Sequence, residues 1–204
     1  MCFHTKQSKS AIELENRYNA RVEEALLFET NAIYNGFTFP KTPVISNENI
    51  NLIKHYRWGL IPYWAKDNTV RANTLNARIE TIKTLPSFRD SVKNRCLVII
   101  SGFYEWMWLD EKGKNKQKYL ITFPKDELFS LGGIWSEWVD KSTGEIIKSY
   151  SIVTTEANEL MAKIHNNKKR MPIVLNQSEE KKWLEGEDTE KFKVREVELK
   201  AIIV

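Results

Sequence analysis

The sequence predicts a mixed α+β fold: one domain over residues 1–204, built around a curved, mainly antiparallel β-sheet with flanking helices. Three observations carry that expectation. From Cys96 to Trp135 the chain is a succession of short β-branched and aromatic runs, punctuated by Gly102, Lys112-Gly113-Lys114, Pro124 and Gly132-Gly133. Apolar residues at helical spacing occur only in a few short stretches outside that block. A length of 204 residues with 42% hydrophobic content supplies a sizeable core, and no linker or repeat divides it.

Taken in order, Ser10-Ala11-Ile12-Glu13 has capping-box form, and Leu14, Tyr18, Val22, Ala25 and Leu26 follow at helical spacing, which predicts a first amphipathic helix. Asn35 to Pro43 reads as a loop leading into a short strand at Val44-Ile45. Tyr56 to Trp64 is β-prone until Lys66-Asp67-Asn68 breaks it, and Leu85-Pro86-Ser87 suits the start of a second short helix. Strands are expected at Cys96–Ser101, Phe103–Leu109, Tyr119–Phe123 and Leu128–Trp135, then at Tyr150–Thr154 after a turn at Lys141–Gly144. Thr155 is the expected cap of a helix with Ala157, Leu160, Met161 and Ile164 on one face. A strand at Ile173–Leu175, a last helix from Ser178 to Gly186 and one or two strands within Phe192–Val204 complete the chain.

A formal net charge of +4 favours an anionic partner without requiring one. Two cysteines, Cys2 and Cys96, make no disulfide framework, which suits a reducing compartment. Neither a signal-peptide apolar region nor a run of about 18 apolar residues occurs, so a cytoplasmic protein without a membrane span is expected. There is no Cys-x-x-Cys, no His-x-x-x-His and no phosphate-binding glycine loop, so no metal and no cofactor is expected.

Cys2 follows the initiator methionine, and removal of Met1 would leave a thiol and an α-amine two carbons apart. Such a terminus can act as a thiol nucleophile with its own amine as base, or can condense with an aldehyde and close to a thiazolidine. A frayed terminus is the plain alternative. Glu105 is a lone carboxylate in Gly102-Phe103-Tyr104-Glu105-Trp106-Met107-Trp108, on the strand face of Phe103 and Met107, where burial would poise it for proton transfer; a surface glutamate paired with a lysine is the other reading. His165 ends the helix before Asn166-Asn167 and the basic run Lys168-Lys169-Arg170, either as a residue favoured by the helix dipole or as a site residue. Asn76 and Arg78 share one face of an extended segment. Trp58 and Trp64, near basic residues, could stack bases, or serve as core.

Together these stretches resemble the SOS-response-associated peptidase (SRAP) family, proteins that crosslink to abasic sites in single-stranded DNA. The likeness runs through Met1-Cys2, Trp58-Gly59-Leu60-Ile61-Pro62-x-Trp64-Ala65-Lys66-Asp67, Asn76-Ala77-Arg78-x-Glu80-Thr81, Arg95-Cys96-Leu97-Val98, Gly102-Phe103-Tyr104-Glu105-Trp106, Thr154-Thr155-Glu156-Ala157-Asn158, Ile164-His165 and Arg170-Met171-Pro172-Ile173-Val174-Leu175. The resemblance implies a barrel-like sheet, Cys2 as crosslinking nucleophile, and Asn76, Glu105 and His165 as its active-site partners. It also implies Arg78 and Arg170 at DNA phosphates, Trp64 and Pro40 lining the DNA groove, no metal or cofactor, and a monomer that joins the nucleoid when bound to DNA.

Three departures from the family pattern predict altered DNA contacts with the chemistry kept. Phe3-His4 stands in place of Gly-Arg, Asn166–Lys169 intervenes between His165 and Arg170, and the usual Asn before Ala-Pro is missing around Phe37–Pro40. The expected function is protection of abasic sites through a covalent link to Cys2. Two alternatives stay open at this level: an N-terminal-nucleophile cysteine peptidase or amidase, and a non-catalytic single-stranded DNA-binding module.

Overall fold

The computed structural model describes residues 2–25 and 28–204. Expectations that fall on Met1 and Leu26 lie outside the described residues. In chain order the elements are β1 (His4–Gln7), α1 (Ala11–Tyr18), β2 (Arg21–Val22), β3 (Ala32–Asn35), β4 (Lys41–Ser46), β5 (Asn49–Trp58), β6 (Asn76–Arg78), β7 (Arg95–Ile100) and β8 (Gly102–Trp108), followed by β9 (Lys116–Thr122), β10 (Phe129–Val139), β11 (Ile146–Glu156), α2 (Glu159–Ile164), β12 (Arg170–Pro172), β13 (Val174–Leu175), α3 (Gln177–Leu184) and β14 (Lys200–Ile203).

Strands β5, β4, β7, β10 and β11 pair in succession, and β11 pairs back onto β5, so five strands close a barrel. Four of those pairings are antiparallel, while the closing one, Ser149 opposite Arg57 and Tyr150 opposite Trp58, is parallel. Closure removes the unpaired edges that an open sheet would leave. A second, five-stranded sheet runs in the order β14-β9-β8-β1-β3. Among the described residues no helix is long and apolar enough to cross a membrane.

Every residue of β7 is buried, as expected of a strand covered on both faces. Its alternate side chains enter two separate clusters: Cys96, Val98 and Ile100 pack with Trp58, Tyr150 and Phe129, whereas Leu97 and Ile99 pack with Leu14, Ile53 and Trp183. Trp183 is fully buried on α3, and its indole N–H donates to the carbonyls of Cys96 and Gly133, both at 3.1 Å. Truncating such a side chain to alanine costs about 3–5 kcal/mol.

Several boundaries differ from the sequence expectation, each for a local reason. The Ser10–Glu13 capping box forms, but α1 stops at Tyr18 because Asn19 turns into the left-handed region at φ 49°; Val22 joins a strand instead. The β-prone Tyr56–Trp64 stretch ends at Trp58, where Gly59 takes φ 105° and turns the chain. No α-helix follows Leu85; the segment makes turns and a short 3-10 helix at Arg89–Ser91. Thr155 lies in β11, and the cap of α2 is Asn158, whose Oδ1 accepts the Met161 N–H. Gly132-Gly133, expected as a strand boundary, lies inside β10. A Cβ on Gly133 would come within 2.7 Å of the Cys96 sulfur, so glycine serves close packing there. Trp58 is fully buried with its indole N–H on the Leu75 carbonyl, which makes it core and removes it as a base platform.

Candidate active site

β1 sits between β3 and β8, with His4 opposite both Asn35 and Tyr104. Continuing that antiparallel register brings Cys2 alongside Glu105 and Trp106. The start of the chain is thereby ordered by a sheet, and Cys2 is fully buried in the cluster of Trp58, Leu75 and Tyr150. Burial pushes its thiol well above the ordinary range, and the neighbouring Glu105 carboxylate pushes it further.

Asn76 begins β6, which runs parallel to β11 with Asn76 opposite Ile152. Its side-chain N–H donates to the Cys2 carbonyl at 2.9 Å, while its Oδ1 is buried and receives no donor among the described residues. Glu105 is 6% exposed, and its carboxylate accepts the Trp106 N–H at 3.1 Å. Burial raises its pKa, against the opposing effect of the positive charge at the chain's amino terminus. The surface-glutamate reading of Glu105 does not hold.

His165 caps the C-terminus of α2, with its N–H on the Met161 carbonyl at 2.7 Å. Its Nδ1 lies 3.0 Å from the Arg170 N–H and 2.9 Å from the Arg170 carbonyl. Either tautomer is thus pinned by the same residue, and chemistry at this ring falls to Nε2. Despite the helix terminus, its pKa is lowered to about 4, first by burial and then by the positive charge of the chain's amino terminus. His165 is therefore a neutral imidazole at pH 7.

Arg170 is 7% exposed, and its guanidinium is bidentate on Glu80 at 2.7 and 2.9 Å with a further bond to the Thr154 carbonyl at 2.8 Å. That ion pair ties β12 to the segment after β6, so the group expected at a DNA phosphate already has a carboxylate partner. Arg78, by contrast, is exposed on β6 and makes no ion pair among the described residues. Trp64 is 47% exposed, and Pro40 is half-buried with its carbonyl accepting the Trp58 N–H.

Glu105 and His165 open onto one cavity of about 340 Å³, walled by Phe3, His4, Trp106 and Lys168. Phe3 lies against Phe37 with ring centroids 4.8 Å apart, and His4 meets Trp106 edge-on at 5.0 Å. The walls were not read from sequence; only the alternation of β8 and the pairing of β1 with β8 could have suggested Trp106. A larger concavity of about 750 Å³ lies between α2 and residues 193–199, but none of the expected site residues lines it. Among the described residues no group of three or more His, Cys, Asp or Glu is placed to hold a metal ion.

The family described as "SOS response associated peptidase (SRAP)" matches residues 1–202. The abasic site processing protein YoqW of Bacillus subtilis is 38% identical over 148 residues, 72% of this chain and 63% of that protein. The abasic site processing protein HMCES of Gallus gallus is 31% identical over 153 residues, 63% of this chain and 44% of that protein. The matched part of the chain thus spans less than two thirds of each relative's length. A crystal structure of a Bacteroides thetaiotaomicron protein superimposes with a TM-score of 0.90 at 34% identity, covering 100% of this chain and 92% of that one.

Proposed function

The chain belongs to the SOS-response-associated peptidase family, and from that premise we propose that it processes abasic sites in single-stranded DNA by linking them covalently to Cys2 after removal of Met1. The observation that carries the reading is the Asn76 amide. One end holds the Cys2 carbonyl, and the other presents a buried acceptor without a donor among the described residues. A buried carbonyl oxygen left unpaired costs about 1–3 kcal/mol, and an α-amine on residue 2 is the donor that would satisfy it.

In this reading the ring-closed sugar opens first: with Nδ1–H on the Arg170 carbonyl, Nε2 of neutral His165 takes the C1′ hydroxyl proton and delivers it to the ring oxygen as the C1′–O bond breaks, so the imidazole is neutral again after the step. The amine of Cys2 adds to the aldehyde carbon C1′, giving a carbinolamine. Glu105, whose pKa burial raises, gives a proton from its acid form to the departing hydroxyl, which leaves as water. The Cys2 sulfur then adds to C1′ of the iminium while its proton passes to the Glu105 carboxylate. A thiazolidine results, one water has been lost, and Glu105 is protonated again. Holding the reactants together accounts for much of the acceleration, and each proton transfer contributes on the order of 10²-fold or more. Arg78 holds a flanking phosphate, Trp64 and Pro40 line the strand's path, and Arg170, bidentate on Glu80, braces His165 through its backbone. No metal or cofactor enters these steps.

The buried thiol favours this order over a peptidase that needs a thiolate at the outset, because desolvation disfavours the charged sulfur. The test is a denaturing gel of the protein mixed with single-stranded DNA bearing one abasic site. A heat- and detergent-resistant band is expected, and its persistence in a chain with an extra residue kept ahead of Cys2 would overturn the proposal.

A further inference from the structure

The four residues between His165 and Arg170 form a built element. Asn166 Oδ1 accepts the Trp108 N–H at 3.1 Å, and its Nδ2 donates to the Trp108 carbonyl at 2.9 Å. These are the two bonds a neighbouring strand would make, on the side of β8 that β1 no longer covers beyond Tyr104. Lys169, at φ 48°, closes the segment by donating its N–H to the His165 carbonyl and accepting from Ala157.

This anchoring sets Lys168 at the mouth of the cavity that holds Glu105 and His165, and Lys116 of β9 lines the same cavity. Both are exposed, and neither is ion-paired among the described residues, whereas Lys163, Lys191 and Lys193 each meet a carboxylate. Asp110, at the end of the same hairpin, has its carboxylate taken by the N–H groups of Lys112, Lys114 and Asn115. Lys116 lies 5.5 Å above the Trp108 ring, and Lys118 lies 4.1 Å from Tyr104 and 5.8 Å from Trp106, so cations overlie an aromatic wall. Cations with aromatic faces are the combination that tracks a single strand.

We propose that Lys168 and Lys116 form a phosphate subsite on the outer wall of the reaction cavity, holding the backbone phosphate next to the abasic sugar on the side away from Arg78. The inference rests on the DNA reading above. It assigns to free lysines the contact that Arg170, already bidentate on Glu80, is poorly placed to make. Asn166 is a positioning residue that fixes Lys168 through the β8 backbone.

The experiment measures binding of single-stranded DNA carrying a tetrahydrofuran abasic analogue, which cannot open, across a salt series. Lys168→Ala and Lys116→Ala are each expected to lower the slope of log affinity against log salt, and the double variant to lower it by about 0.7 in all, the value for one neutralised single-strand phosphate. Lys163→Ala, on the outer side of α2, leaves the slope unchanged. A neutral methylphosphonate at the linkage adjoining the analogue should weaken parent binding as the lysine substitutions do, with no further loss when both changes are combined. Unchanged slopes in both lysine variants, or full additivity with the methylphosphonate, would overturn the subsite. Adduct formation with propionaldehyde, followed by intact mass, reports the Cys2 chemistry alone. Its absence in the parent would count against the reaction while leaving the subsite measurement standing.

Discussion

Cys2 and Cys96 are both fully buried, and burial pushes both thiols well above their ordinary range. By exposure and acidity the two would be indistinguishable. They differ in their surroundings: the Cys96 sulfur faces the bare α-carbon of Gly133, while Cys2 has its carbonyl on Asn76 and its thiol beside Glu105. The contrast teaches that sulfur reactivity is not what distinguishes the candidate site. A thiol kept protonated by desolvation is a poor first nucleophile, so the proposed reaction begins at the amine that removal of Met1 would expose on residue 2.

The largest effect tests that contrast directly. Cys2→Ala is expected to abolish the covalent adduct, whereas Cys96→Ala keeps it and loses about 1 kcal/mol of stability for the missing buried atom. Adduct yield on a gel and unfolding by denaturant measure the two, and comparable yields from both variants would erase the distinction. Next, Glu105→Gln should slow adduct formation about 10²-fold or more on both the natural ring and an acyclic aldehyde-bearing DNA, because its protons serve the steps after opening. His165→Ala should slow the natural ring far more than the acyclic one. Equal losses on both substrates would make the pair one coupled proton-transfer unit.

A smaller effect separates the two arginines. Arg170→Ala is expected to destabilise the fold by about 2–3 kcal/mol, below the full cost for a buried pair because Glu80 is partly exposed. Arg78→Ala should leave stability unchanged and lower the salt slope of single-strand binding by roughly 0.7. Thermal unfolding and a salt titration would show the reverse pattern if Arg170 is released to bind DNA.

The smallest effects are in pH dependence. Glu105 has its pKa raised in the fold, so its contribution to stability is present below the unfolded value of 4.5 and is lost as pH rises through the folded one. Glu105→Gln should therefore be more stable than the parent at pH 8, with the gain fading toward pH 4. For His165, lowered from 6.5 to about 4, the unfolded chain binds the proton first. Stability should fall as pH drops between those values and level off below them, and His165→Gln should flatten that decline.

Much of this was legible because it is written in short-range signals. The Ser10 capping box, the β7 to β11 runs and the Gly186 stop all depend on residues a few positions apart. The parallel closure of β11 onto β5 joins residues far apart in sequence, and nothing in either strand announces it. Cys2, Glu105, His165, Asn76 and Arg78 stand out by their own chemistry and spacing and take their roles from a resemblance over short blocks, and the structure brings Cys2, Asn76, Glu105 and His165 together. What stayed hidden was partnership: Arg170 reads as a free cation until Glu80 is seen beside it, and Asn166 reads as part of a loop until its amide is found on Trp108. Side-chain pairings between distant segments carry no periodicity that a sequence could display.

The placement of β1 between β3 and β8 also sets a schedule for biosynthesis. His4 cannot find its β8 partner Tyr104 until about a hundred further residues have been made, which at 5–20 residues per second takes roughly 5–20 s. Once the sheet closes, residue 2 is interior, so the removal of Met1 proposed above would have to precede closure, in kinetic competition with it. A chain that folds before trimming should keep its methionine in a protected form, detectable as a fraction that resists aminopeptidase until it is unfolded. Equal trimming of the folded and unfolded protein would show that the terminus opens freely after synthesis.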